Sequence, residues 1–262
     1  MGAANTIYHI RKLLTEVGPR QTALTLGRHL YRRAFPVKYP VHPFDLQHGV
    51  DTSGLIGGRR LNSGSDHDRH ITAYWGTAPS AFRHVLSLWN DSLANSPYST
   101  SDYVFIDIGC GKGRAVMLAS EHPFHRVVGV ELNTALVTVA QKNLVKWKAS
   151  PHACHDIEVL TADALEFAFP DSPTLLYVFN PFDAHLTQLL LDRILAVSLT
   201  RPAPIDIIYM TPEHAHLFAL VPNLQLLAEG RTPLSTEEKA VDAFQTQSLG
   251  YCIYHLPRRS AK

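Results

Sequence analysis

Cysteine is scarce in this chain: Cys110, Cys154 and Cys252 are the only three in 262 residues. An odd number with no CxxC pair argues against a disulfide framework and against a cysteine-based zinc site, and makes a reducing compartment, the cytoplasm, the expectation. Long apolar runs are lacking too. None reaches the length that spans a bilayer, so no transmembrane segment is expected. No internal repeat and no low-complexity segment stands out, which sets aside solenoids and collagen-like chains.

An excess of one charge is also missing, with 24 Lys and Arg against 23 Asp and Glu. The balance hides an asymmetry: residues 1–40 hold seven Lys/Arg and only Glu16 as an acid, so the remainder carries net −5. Ile7, Ile10, Leu14 and Val17 recur at helical spacing, Pro19 stops that helix, and a second is expected from Gln21 to about Ala34 with Arg28, Arg32 and Arg33 on its polar side. Such a basic pair could hold RNA, a membrane surface or an acidic protein; a solvated face capping the domain is the plainer reading. The start, Met1 to Thr6, fits the permissive N-myristoylation pattern.

What is present is enough for a core, since 45% of the residues are hydrophobic. The chain is organised around Tyr103-Val-Phe-Ile-Asp107-Ile-Gly109-Cys-Gly111-Lys-Gly113-Arg114. A β-rich run enters a turn with three glycines, and Ala115 to Ser120 leaves it as a helix. Glycine at alternate positions lets a ligand approach the backbone, and the helix N-terminus favours one with an anionic end. Further buried-strand patterns follow at Arg126–Glu131, Ile157–Asp163, Thr174–Asn180 and Ile205–Met210, with helices between them, and two more β-rich runs lie near Asn223–Leu227 and Thr246–Leu256. Strands alternating with helices give a doubly wound α/β domain. Residues 35–70 read as turns and short strands, His67-Asp-Arg-His70 as a surface loop, and Thr232–Asp242 as a polar loop without a motif.

The G-x-G-x-G spacing with Asp107 before it resembles the cofactor loop of class I S-adenosylmethionine-dependent methyltransferases. Tyr74-x-x-Thr77, before an amphipathic helix bearing Phe82, Val85, Leu86 and Trp89, and Asn180-Pro181-Phe182 after the fourth strand are similar to the SET-less histone lysine methyltransferases and their bacterial relatives. The resemblance covers about Ile71 to Met210. It implies a seven-stranded Rossmann-like sheet with the last strand antiparallel and a methyltransferase domain over residues 71–262; residues 1–70 lie outside it and read as a helical extension with a lid.

It also implies roles. Asp107, Gly109, Gly111, Gly113 and Arg114 would cradle S-adenosylmethionine; Glu131, with Leu132, would accept from the ribose; Asp163 and Ala164 would read the adenine; Tyr74 and Thr77 would close over the methionyl end. Asn180, also counted with the cofactor residues, would accept the hydrogens of a target amine through its oxygen, and Pro181, Phe182 and Tyr177 would wall that site. The partner is then a methyl acceptor, an amine-bearing protein or small molecule, and the missing second proline after Asn180 counts against a flipped nucleobase. The basic N-terminal helices leave nucleic acid as a less favoured partner, and no metal is implied, since His152, Cys154 and His155 sit in one short loop. A nicotinamide oxidoreductase would share Gly109, Gly111 and Glu131 but leave Asp163 and Asn180 unexplained. A non-catalytic binder of the same cofactor would need no acceptor site.

Overall fold

The computed structural model describes residues 39–147 and 152–258. The two basic N-terminal helices and the myristoylation start expected from the sequence lie outside the described residues. Residues 40–262 form one compact unit.

The first element, α1 (Pro43–His48), corrects the expectation of turns and short strands before His70. His42 Nδ1 accepts from Phe44 N at 3.1 Å, Pro43 occupies the first turn, and Gly49 ends the helix at φ 66°. Proline at the start and glycine just past the end are the ordinary punctuation of a short helix. Two 3₁₀ turns follow, Gly58–Arg60 and Asp66–Arg69, and Ile56 bridges to Tyr74.

Helix α2 (Pro79–Ser92) buries Phe82, Val85, Leu86 and Trp89 as its pattern predicts. The parallel part of the sheet then builds up from β1 (Val104–Ile108), α3 (Arg114–Ser120), β2 (Arg126–Glu131), α4 (Thr134–Trp147), β3 (Ile157–Thr161), β4 (Thr174–Val178), α5 (Ala184–Ser198) and β5 (Ile205–Met210). Asn133 caps α4, its Oδ1 accepting from Ala135 N and Leu136 N. The predicted end of that helix at Lys148 is outside the described residues. Then come α6 (Ala215–Phe218), β6 (Gln225–Pro233), α7 (Thr236–Val241) and β7 (Ser248–Leu256).

The strand order is β3-β2-β1-β4-β5-β7-β6, with β7 antiparallel to both neighbours and the other pairs parallel. This is the seven-stranded, doubly wound sheet that the resemblance implies. Alternation along each strand divides the core in two. Phe105, Leu175, Tyr177 and Ile208 pack with α2, α3 and α4 on one face. Val104, Ile106, Leu176 and Tyr209 pack with α5 and α6 on the other.

The polar loop expected over Thr232–Asp242 is overturned: β6 runs to Pro233 and α7 follows it. Ser235 and Glu238 cap α7 reciprocally, and the buried Glu238 carboxylate also accepts from Ser80 N at 2.8 Å and from the Ser80 hydroxyl. One acid therefore serves the N-termini of α7 and α2.

Candidate active site

Gly109, Gly111 and Gly113 all hold left-handed backbone, at φ 73°, 54° and 85°. Close approach adds to the demand at two of them. A β-carbon on Gly109 would lie 2.9 Å from Pro181 Cβ, and one on Gly111 would lie 2.3 Å from Tyr74 Cε2. The turn is tied to the next strand as Gly109 N and Cys110 N donate to Val130 O, at 2.8 and 3.1 Å, and Gly111 N donates to Glu131 Oε2 at 2.9 Å. Gly113 caps α3, whose seven residues are all buried.

Two acids face the cleft beside this turn. Asp107 is 4% exposed, and its carboxyl has no hydrogen-bond partner among the described residues; burial first, and then the neighbouring Glu131, pushes it well above the usual range. Glu131 is raised by burial as well, against the N–H donors of Asn133, Gly111 and Leu132. A buried carboxyl without a partner is costly in its charged form, and an arriving cation relieves that cost.

Residues 44–77 cover the turn, and Arg114 is the strut. Its guanidinium, 3% exposed, donates to Thr52 Oγ1 at 2.6 Å, Thr52 O at 3.0 Å and Thr77 O at 3.0 Å, and lies 3.7 Å from Asp45. Asp45 in turn binds the Thr52 hydroxyl and accepts from Ser53 N at 2.7 Å. Tyr74 lies over Gly111, its hydroxyl donating to Thr52 O at 2.7 Å. Thr77 does not cap α2, where Ala78 is the cap residue. Its hydroxyl meets that of Tyr177 at 2.6 Å.

The His67–His70 stretch, expected as a surface loop, reaches across to the sheet edge. His67 Nδ1 lies 2.9 Å from Asp163 Oδ2, and His70 Nδ1 lies 2.7 Å from Asp183 Oδ2. Asp163 Oδ1 meanwhile accepts from Leu165 N at 2.9 Å. Among the described residues no group of three or more His, Cys, Asp and Glu is placed to hold a metal.

One cleft is lined by Tyr74, Thr77, Asp107, Gly109, Arg114, Glu131, Leu132, Asp163, Ala164, Pro181 and Phe182, so most of the residues singled out in the sequence converge. Gly111 and Gly113 do not line it. Asn180 stands instead on a second cavity of about 960 Å³, large enough for a small molecule or an extended side chain. Thr72, Ala73, Trp75 and Phe179 belong to both, so the two spaces share a wall. These four escaped sequence reasoning, as did Glu213, Glu229 and Arg231 farther along the second cavity. Only Trp75, beside Tyr74, carries a local hint.

Residues 105–197 match the methyltransferase-domain family. Over that span the chain carries a methyltransferase domain. No curated protein matches the sequence. Similar solved structures include magnesium protoporphyrin IX methyltransferase from Synechocystis with bound S-adenosylmethionine, 12% identical, with 67% of this chain and 78% of that one covered at a TM-score of 0.47. Precorrin-6y C5,15-methyltransferase from Geobacter metallireducens is 18% identical, with 66% and 87% covered at a TM-score of 0.44. Such distant likenesses carry no argument about the acceptor. The methyltransferase donor fits the residues present: the unpartnered Asp107 carboxyl faces the cleft where a cationic ligand would sit.

Proposed function

We propose that this methyltransferase methylates a nitrogen, the amine of a protein or small molecule, with the donor in the first cleft and the acceptor in the second cavity. The observation that carries the reading is the wall common to both spaces, Thr72, Ala73, Trp75 and Phe179, at the carboxyl edge of the sheet. Ligands of open α/β sheets bind at that edge.

S-adenosylmethionine, when bound, supplies a methyl group on a positively charged sulfur that leaves as a neutral thioether. The chain's part is to bind, orient and exclude water. Asp163 and Ala164 would take the adenine, Glu131 the ribose hydroxyls, and Asp107 the positive charge of the donor. Gly109, Gly111 and Gly113 hold the left-handed turn that shapes the donor loop, Leu132 and Thr77 flank the nucleoside and methionyl ends, and Tyr74 closes the site. Arg114 acts at one remove, holding the cover in place through Thr52 and Thr77. Pro181 and Phe182 close the cleft, and Asn180 orients the acceptor.

The walls of the second cavity support an amine. Trp75, Phe179 and Phe244 give it aromatic faces, and Glu213 and Glu229 favour a group that can carry positive charge. No general base is required of the chain, since an amine that arrives neutral sheds its proton afterwards. The likeness of Tyr74-x-x-Thr77 and Asn180 to the SET-less lysine methyltransferases is consistent with this and does not choose between protein and small-molecule amines.

Asn180→Gly, which keeps the left-handed backbone, tests the assignment. Transfer of a labelled methyl group to a panel of amines should fall at least about a hundredfold while donor affinity changes by less than about threefold. Undiminished transfer would refute it.

A further inference from the structure

The buried hydroxyl of Tyr209 has two polar neighbours, the backbone N–H of His214 at 3.2 Å and the side chain of Asn180 at 2.9 Å. A backbone N–H can only donate, so the tyrosine oxygen accepts from His214. Its single proton then goes to Asn180, and the carboxamide atom that receives it is the oxygen Oδ1, because an NH₂ group there would strand a buried proton. The ring cannot swing away. It stacks on Phe218 at 4.8 Å, and Phe218 stacks on Tyr254 at 4.9 Å.

Asn180 is fixed at its other end too. Its backbone sits at φ 43°, and its carbonyl accepts from Thr72 Oγ1 at 2.8 Å. Both oxygens of Asn180 therefore have a donor from the protein. The carboxamide NH₂ has no partner among the described residues, and it is not among the buried unpaired atoms. Asn180 lines the second cavity, whereas Tyr209 lies behind it in the core. Arg231, farther along the same cavity, spends Nε and one terminal nitrogen on Ser248, at 2.9 and 2.7 Å, and keeps its other terminal nitrogen uncommitted among the described residues.

We infer that Tyr209 is a positioning residue that turns the carboxamide NH₂ of Asn180 toward the acceptor, and that the acceptor amine carries a carboxylate or carbonyl oxygen beside it. This rests on the reading of the second cavity as the acceptor site and deepens it. The polarity is the reverse of that expected from the Asn-Pro-aromatic sequence, in which the Asn oxygen receives the hydrogens of the target. Two uncommitted donors along one cavity suit an amino-acid-like or amide-like amine. The ammonium end of a lysine side chain offers them no oxygen.

The test needs no acceptor. Sinefungin bears an amine on carbon where S-adenosylmethionine has its methylsulfonium, so its affinity relative to S-adenosylhomocysteine reports the polarity of the groups at the transfer point. Asp107 favours the sinefungin ammonium equally in every variant, so the change from wild type is what reports Asn180. Calorimetry on the full chain should show the preference for sinefungin rise at least about tenfold in Asn180→Asp and about threefold in Tyr209→Phe, where the carboxamide is free to rotate. A Tyr209→Phe ratio equal to that of the wild type beside a raised Asn180→Asp ratio overturns the inference about Tyr209. A ratio unmoved in Asn180→Asp removes Asn180 from the transfer point, and the acceptor-site reading falls with it.

Discussion

The ring of Tyr74 and the backbone of Gly111 are fitted to one another: a β-carbon at 111 would stand 2.3 Å from Tyr74 Cε2 and 2.4 Å from Cδ2. The hydroxyl of the same tyrosine holds Thr52 O at 2.7 Å, and the Lys112 ammonium lies 5.6 Å from the ring centroid. A residue of the cover and a residue of the loop thus define one surface. Gly111→Ala must push the ring aside and strain a left-handed position, at about 1–3 kcal/mol. The expected result is a lower melting temperature and donor affinity reduced about tenfold, read by thermal unfolding and calorimetry; an alanine variant equal to wild type in both would show that the fit is slack.

Arg114 concentrates the fastening of residues 44–77 in one buried side chain. Arg114→Met keeps its length but removes a donor from Thr52 O and from Thr77 O and the cation that faces Asp45. Urea unfolding should register a loss of about 3 kcal/mol, because breaking a buried pair strands the remaining charge. Arg114→Lys should recover little, since one ammonium cannot serve carbonyls spread around a planar fork. A loss below about 1 kcal/mol would place the fastening elsewhere.

Asp107 should couple donor binding to pH. Its carboxyl is raised by burial and by Glu131, so lowering the pH through that raised range protonates the acid and removes the attraction for a cation. Donor affinity is expected to climb with pH and then level off. In Asp107→Asn it should be at least about tenfold weaker and nearly flat with pH. Titrations at several pH values that gave parallel curves for the two proteins would dismiss this role.

His42 gives the fold an acid-sensitive corner. Burial first, and then the charge of Arg114, pushes its imidazole down to about 4, and its Nδ1 accepts from Phe44 N, which requires the neutral ring. A free histidine titrates near 6.5. Between those values the unfolded chain takes up a proton that the folded chain refuses, so the contribution is fully present above about 6.5 and is lost as pH falls toward 4. His42→Asn retains a cap without the titration and should melt with a weaker pH dependence between 7 and about 4.5; an unchanged dependence would assign the acid loss to other groups.

What could be read in the sequence was what is local. Val104 to Ser120 announces strand, turn and helix within a short span, and Glu131 and Asp163 stand at strand ends that hydrophobic runs mark on their own. The order of those runs is enough to wind the sheet. Contacts between distant segments left no such mark. Nothing near His67 points to Asp163, and nothing near Tyr209 points to Asn180. The contacts of Arg114 were hidden for the same reason: beside a glycine loop it reads as a ligand group, and only the folded chain brings Thr52, Thr77 and Asp45 around it. The helix at Thr236–Val241 is different, because Ser235-x-x-Glu238 is a capping pair legible in the sequence that the surrounding charge obscured.

The most direct test of the donor cleft is calorimetry of S-adenosylmethionine against the wild type, Asp163→Ala and Glu131→Ala, with NAD as the comparison ligand. The wild type should bind one equivalent of S-adenosylmethionine and no NAD, and each variant should bind at least about tenfold more weakly, a loss of about 1.4 kcal/mol or more. Variants that keep the wild-type affinity would contradict the account, because the two acids that line the cleft would then take no part in holding the donor.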